Sequence, residues 1–265
     1  MKIKSKIIIL GAMSIGLSGC LAGGTVVGPA ERDFGTAPAE ISYNPATEIV
    51  TLTASGVTQP ALTRLAMSDV PGSKTYRASS TDQWALIKES ASGKTYAYVA
   101  GGDGNGVGAA ISGVEYGSRG DTELPAGGSA KFNGSYNGLF QQRSNQNVVY
   151  LTSGDATLNA NFDAGTISGK VSNRAFHNLV NGNQIGGTAL YDFVLDPTSI
   201  GGTGEFSGTV TGGYVIDGSA SAGSNGAFAG LIGGASGNEV AGAVSMDYTQ
   251  GAFNHKEVGG FVAKK

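Results

Sequence analysis

The sequence predicts an all-β protein: an eight-stranded antiparallel barrel in the C-terminal part, preceded by a smaller β-rich handle domain. Three observations carry this. The 265 residues include 45 glycines with no triplet period, which excludes collagen. They are spread among Val, Ile, Phe, Tyr and Thr in short runs, as in strongly bent strands. From Ser129 onward apolar and polar residues alternate with period two, which gives each segment one apolar face. Turns such as Asp163-Ala164-Gly165 and Thr211-Gly212-Gly213 join successive segments within a few residues, so neighbours run antiparallel.

Residues 1–19 read as a signal peptide. Lys2, Lys4 and Lys6 precede an apolar run from Ile7 to Leu17 that is too short to span a bilayer as a stable helix. Ser18 and Gly19 are small enough for a peptidase to reach the backbone before Cys20. Leu17-Ser18-Gly19-Cys20 resembles the lipobox of bacterial lipoproteins, which implies lipidation of Cys20 with palmitate-type chains and attachment to a membrane. Cys20 is the one cysteine of the chain, so the exported protein has no disulfide and rests on hydrophobic packing. Residues 20–40 lack a periodic apolar face and read as a flexible tether of about 25 Å root-mean-square span. Leu21, not an aspartate, follows the cysteine, which by the usual sorting rule points to the outer membrane.

The handle is expected over 41–125. Glu48–Ala54 alternates, Gln83–Glu89 and Lys94–Ala100 form a hairpin turned by Ser90-Ala91-Ser92-Gly93, and a third strand runs from Gly108 to Tyr116. Asp121–Gly128 reads as a linker.

The barrel is expected over 126–265. In Ser129–Phe140, Phe132, Gly134, Tyr136, Gly138 and Phe140 share one parity, and Lys131, Asn133, Ser135 and Asn137 the other. The contrast returns in Ala156–Phe162, Gly165–Val171 and Gly204–Val210. Candidate strands are 129–140, 156–163, 165–172, 187–195, 203–210, 214–232 with a bend near Gly223, 238–248 and 255–263. Eight such strands can close and remove their exposed edges. A membrane barrel would want strands of about ten residues and aromatic girdles; these are shorter, and a lipid-tethered barrel with a packed interior fits better.

Phe132-Asn133-Gly134-Ser135-Tyr136-Asn137-Gly138, Ala160-Asn161-Phe162, Ile167-Ser168-Gly169-Lys170 and Gly204-Glu205-Phe206-Ser207-Gly208 follow the order seen in the transferrin-binding protein B-like barrel lipoproteins. Gly226-Ala227-Phe228-Ala229-Gly230, then Asn238-Glu239-Val240-Ala241-Gly242, is similar to the late signature of that family. The resemblance implies a ligand-binding outer-membrane lipoprotein, often displayed at the surface, that takes a host or environmental protein, haem or a small solute. Here one handle and one barrel stand where a full receptor has two lobes, and Ala229 and Leu231-Ile232 depart from the pattern, so ligand specificity does not carry over.

Other chemistry finds little footing. A net charge of −3 with 14% charged residues and no basic stripe speaks against nucleic acid as a partner. Gly101–Ala109 contains G-x-G-x-x-A, but the next residues read as a strand where a dinucleotide site needs a helix. His177 and His255 are the two histidines; neither completes a zinc set by spacing, and no G-x-S-x-G elbow is present, so no enzyme is expected. His177, in the polar stretch Ser172–Gly186, is the candidate haem ligand, and His255 is expected to cap the final strand. Loops Gln141–Asp155 and Ser172–Gly186 are the expected recognition surface. A structural envelope lipoprotein without a dedicated ligand is the alternative reading.

Overall fold

The computed structural model describes residues 21–26, 36–103, 110–120, 122–142, 148–186, 189–216, 219–250 and 253–265. The signal segment and Cys20 lie outside them. Among the described residues no helix is long and apolar enough to cross a membrane.

The first sheet comprises β1 (Leu21–Val26), β2 (Thr36–Asn44), β3 (Ile49–Ala54), β4 (Val57–Thr58), β5 (Leu62–Arg64), β6 (Lys74–Ala78), β7 (Gln83–Glu89), β8 (Thr95–Asp103) and β9 (Ala110–Arg119). The β7–β8 hairpin forms where the sequence places it, Gln83 opposite Gly102 and Glu89 opposite Tyr96. A strand, β9, follows the glycine-rich stretch, of which residues 104–109 lie outside the described ones. The order β9-β2-β3-β5-β6-β7-β8 returns to β9, so the handle is itself a closed sheet. Closure rests on a short parallel pairing of Thr36–Pro38 with Ala110–Ser112. The rest of that β9 edge would stand open, and β1 covers it, Leu21–Val26 running antiparallel to Val114–Arg119. The segment expected as a tether thus holds β1 and the start of β2.

The second sheet contains β10 (Ser129–Gln142), β11 (Val148–Asn161), β12 (Thr166–His177), β13 (Ala189–Leu190), β14 (Phe193–Ser199), β15 (Glu205–Thr211), β16 (Gly213–Ile216), β17 (Ser219–Gly233), β18 (Glu239–Gln250) and β19 (Phe253–Lys264). Eight of these close a ring, β17-β15-β14-β12-β11-β10-β19-β18 and back to β17, every pairing antiparallel. β13 and β16 form a side extension on β17. The expected parity holds: Phe132, Tyr136, Phe140, Leu158, Ile167, Phe206 and Phe228 meet in one core. Glycine opposite glycine makes room for the large rings. Gly138 pairs with Gly259, and a Cβ at Gly259 would overlap the Tyr136 ring.

Two expectations about strand length need correcting. β10 and β11 pair from Ser129–Asn161 out to Gln142–Val148, so most of the stretch read as loop Gln141–Asp155 is ladder. β12 runs on to His177, because Ala175, Phe176 and His177 find partners in Ser153, Thr152 and Leu151.

The outer barrel face is apolar where the handle sits. Trp84, Leu86, Ala97, Val99 and Val114 of the handle share a core with Leu139, Leu151, Ala241, Ala243, Val258 and Val262 of the barrel. β18 carries small residues there, Ala241, Ala243 and Ser245, and Gly260 of β19 leaves so little space that a Cβ would lie 2.7 Å from that of Ala97. β18 and β19 are therefore buried on both faces over most of their length.

Phe206→Ala should cost about 3–5 kcal/mol in chemical denaturation, the price of a cavity beside Phe228. Thr209→Ala, on the exposed parity of the same strand, should stay within about 1 kcal/mol.

Candidate functional site

Two places break the apolar pattern: the middle of the barrel and the seam between the two sheets.

In the barrel, Glu257 of β19 points to the side of Phe261 and is buried with its partner Arg174, both side chains at 0% exposure. Its Oε1 accepts from Tyr136 Oη at 2.9 Å and Thr152 Oγ1 at 2.8 Å. Its Oε2 accepts from Arg174 Nη2 at 2.5 Å and Tyr248 Oη at 2.8 Å. Four donors saturate the carboxylate. Burial pushes both phenols well above their ordinary range, and the Glu257 charge adds to it. Arg174 also donates to the Tyr191 carbonyl at 2.6 Å and lies 3.5 Å from the centroid of Phe193.

Arg174 reaches this position through a β-bulge. Ser153 faces Ala175 and Asp155 faces Ser172, so Asn173 and Arg174 together oppose Gly154. Asn173 takes φ +52°, a left-handed conformation that asparagine tolerates better than most residues. The extra residue flips the parity, turning Arg174 and Phe176 inward where regular alternation from Val171 would turn them out. Gly154 is needed beneath it, since a Cβ there would sit 3.0 Å from Arg174 Cγ.

His177 ends β12 at 7% exposure, with both ring nitrogens engaged. Nδ1 lies 3.0 Å from the Gly182 carbonyl, which can only accept, so Nδ1 carries the proton. Nε2 then accepts from Ser153 Oγ at 2.7 Å. His255 is buried in β19, its ring stacked on Phe140 at 5.7 Å, and burial lowers its pKa. The two histidines do not come together in one site by any contact with each other. Among the described residues no group of His, Cys, Asp and Glu could hold a metal ion.

At the seam, Lys88 of β7 follows Trp84 and Leu86 on the face turned to the barrel and is 4% exposed. Its Nζ donates to Ser135 Oγ of β10 at 2.6 Å, and among the described residues no carboxylate is within ion-pair reach. A cleft of about 200 Å³ opens beside it. Neighbouring bonds join the sheets: Thr95 Oγ1 to Glu239 Oε2 at 2.9 Å, Gln141 Nε2 to the Ile111 carbonyl at 3.2 Å, and Asn137 Nδ2 to the Pro71 carbonyl at 3.3 Å.

Solved structures of transferrin-binding protein B are among those to which this chain is similar. One structure of that protein, a variant of the vaccine antigen from Haemophilus parasuis Hp5, shares 14% identity at a TM-score of 0.47, over 81% of this chain and 40% of that one. The isotype 1 protein from serogroup B Neisseria meningitidis shares 12% identity at a TM-score of 0.40, over 86% of this chain and 52% of that one. The N-lobe domain of lactoferrin-binding protein B of Moraxella bovis shares 12% at a TM-score of 0.33, over 92% of this chain and 100% of that one. The chain thus spans about half or less of the two transferrin-binding protein B structures. No family model and no curated protein matches it.

Arg174, Glu257 and Lys88 are absent from the sequence-based candidates. The parity that turns Phe261 inward also turns Glu257 inward, which was a usable signal. The bulge hid Arg174.

Arg174→Met should cost about 3–5 kcal/mol in a denaturant titration, because it leaves the Glu257 charge buried without its counter-ion. Adding Glu257→Gln should restore most of the loss, since the amide carries no charge, its oxygen can still accept from Tyr136 and Thr152, and its NH2 can donate to the Tyr248 hydroxyl. Simply additive losses would show that the two residues act separately.

Burial pulls the Lys88 ammonium down to about 7, against about 10.4 in an unfolded chain. Between those values the unfolded state binds the extra proton, so this group adds stability as pH rises through the window and removes it as pH falls. Lys88→Met should therefore be more stable than wild type near pH 7, with the gain shrinking towards pH 10; denaturation midpoints at the two pH values measure it.

Proposed function

We propose that this protein is a lipoprotein, anchored in the outer membrane through Cys20, that binds its ligand on the outer surface of its two sheets and performs no catalysis. The observation that carries this is the filled barrel: Arg174, Glu257 and the rings of Tyr136, Phe140, Phe193, Phe228 and Tyr248 occupy the interior. An eight-stranded barrel is just wide enough for side chains to fill it, and here charge and aromatic packing use that space. A binding role also agrees with the motif resemblance that runs from Phe132 to Gly242.

On this reading a haem group at His177 would have to break the Ser153 or Gly182 bond, and the imidazole instead fastens the end of β12. The surface offers a better contact. Met67 and Val180 are 64% and 57% exposed, and Ser68 Oγ donates to the Val180 carbonyl at 2.8 Å, which brings the two side chains to one place where handle and barrel meet. A photo-crosslinking residue placed at Met67 or Val180 in living cells should trap a partner protein, and one at Phe228 should not. Crosslinks from the interior position alone would overturn outer-surface binding.

Cys20→Ser should abolish palmitate labelling and leave a folded protein in the soluble fraction. Label retained in the variant, or membrane association that survives a carbonate wash, would reject the anchor.

A further inference from the structure

Lys88 sits where the local pattern asks for an apolar residue. β7 is buried on both faces: Ala85 and Ile87 point into the handle core, and Trp84 and Leu86 point at the barrel. The next residue on that barrel-facing side is a lysine, and burying an ammonium is costly unless it is paired. Its one hydrogen-bond partner among the described residues is a neutral hydroxyl, Ser135 Oγ. Gly72 is fitted over the pair, since a Cβ there would lie 2.8 Å from Lys88 Nζ, and its φ of +85° suits glycine.

The cleft beside this pair has a divided wall. Carbon comes from Ala91 of the β7–β8 turn and from Val262 and Ala263 of β19. The titratable groups facing it besides Lys88 are Glu89 of β7, Glu239 of β18 and Lys264 of β19. Glu89 is already engaged by Arg119 Nη2 at 2.7 Å and Tyr98 Oη at 2.9 Å, and Glu239 by Thr95 Oγ1. Lys264 lies opposite Glu239 in the ladder. Lys88 is left as the buried cation of this wall, with no anionic partner among the described residues.

We propose that this cleft binds a small monocarboxylate, its carboxylate held by Lys88 Nζ and Ser135 Oγ and its apolar body lying against Ala91, Val262 and Ala263. The ammonium keeps donors beyond the one given to Ser135, and the serine, accepting from Lys88, still has its own proton to give. A carboxylate then supplies the counter-charge that Lys88 lacks among the described residues. The two glutamates in the wall repel a second negative charge, which selects a monoanion over a dianion such as sulfate. Burial brings Lys88 to about 7, so the ammonium that the ligand needs is populated below neutral pH and depleted above it, and binding takes up a proton. This site does not depend on the anchor or on a protein partner; Cys20→Ser should keep it.

Calorimetric titration of the full chain with butyrate tests the proposal. Saturable binding is expected at pH 6, weaker by about tenfold or more at pH 8.5, where a group titrating near 7 has lost its charge. Sulfate should bind more weakly than butyrate. Lys88→Met should lose butyrate binding by about tenfold or more, the difference expected when a charge-assisted contact is removed. Ala91→Trp, in the exposed turn, should block the cleft with Lys88 still in place, so it decides the matter if the lysine variant fails to fold. No saturable butyrate binding, equal affinity at the two pH values, preference for sulfate, or full binding in Ala91→Trp would each overturn it.

Discussion

The Glu257 carboxylate receives its hydrogen bonds from four other strands: Tyr136 on β10, Thr152 on β11, Arg174 on β12 and Tyr248 on β18. With β19 itself these are five consecutive strands of the ring, β12-β11-β10-β19-β18. A strand that slips by one residue turns its whole inward set outward, and any such slip in these five would take a donor from the buried charge. A buried charge that loses partners costs several kcal/mol, so the carboxylate penalises every wrong register at once. Apolar packing alone is more forgiving, since one aliphatic side chain replaces another at modest cost. The ion pair is thus better understood as a device for choosing one alignment than as a source of net stability.

The same five strands shape the outside. Once β18 and β19 are fixed, their small outward residues, Ala241, Ala243 and Gly260, form the shallow floor on which the handle rests. Handle and barrel share a continuous apolar core there, ringed by polar bonds at Thr95, Asn137 and Gln141. Lys88 is the exception in that ring, a cation where its neighbours are neutral or paired. Sites that violate a local rule without compensation in view are where function concentrates.

Period-two alternation made the barrel strands and their inward aromatics legible, because strands such as β10, β12 and β15 have one polar face and the pattern has only one period to follow. It also placed the β7–β8 hairpin, whose turn residues Ser90–Gly93 announce it. It failed where structure depends on distant pairing. Nothing local in Thr36–Pro38 says that it will lie parallel to Ala110–Ser112 and close the handle. Gln83-Trp84-Ala85-Leu86-Ile87-Lys88 has both faces buried, so alternation could not say which side Lys88 takes. Arg174 was hidden by the inserted residue at Asn173, and Gln141–Asp155 reads as a loop because its polar residues conceal a long ladder, Thr152 among them turned inward to Glu257.

β19 does three things: it closes the ring against β10, supplies the carboxylate to four neighbours, and gives Val258 and Val262 to the floor beneath the handle. Among the described strands it also comes after the seven others of the ring. Its partner β10 comes more than a hundred residues earlier, Asn133 opposite Lys264, and loops of that span close slowly. Until β19 is synthesised, β10 and β18 each present an unpaired edge, Arg174 has no counter-ion and half of the handle's footing is missing. The handle sheet can close on its own strands, but the ring, its buried ion pair and the floor under the handle all wait for β19 and are completed together by the arrival of one strand.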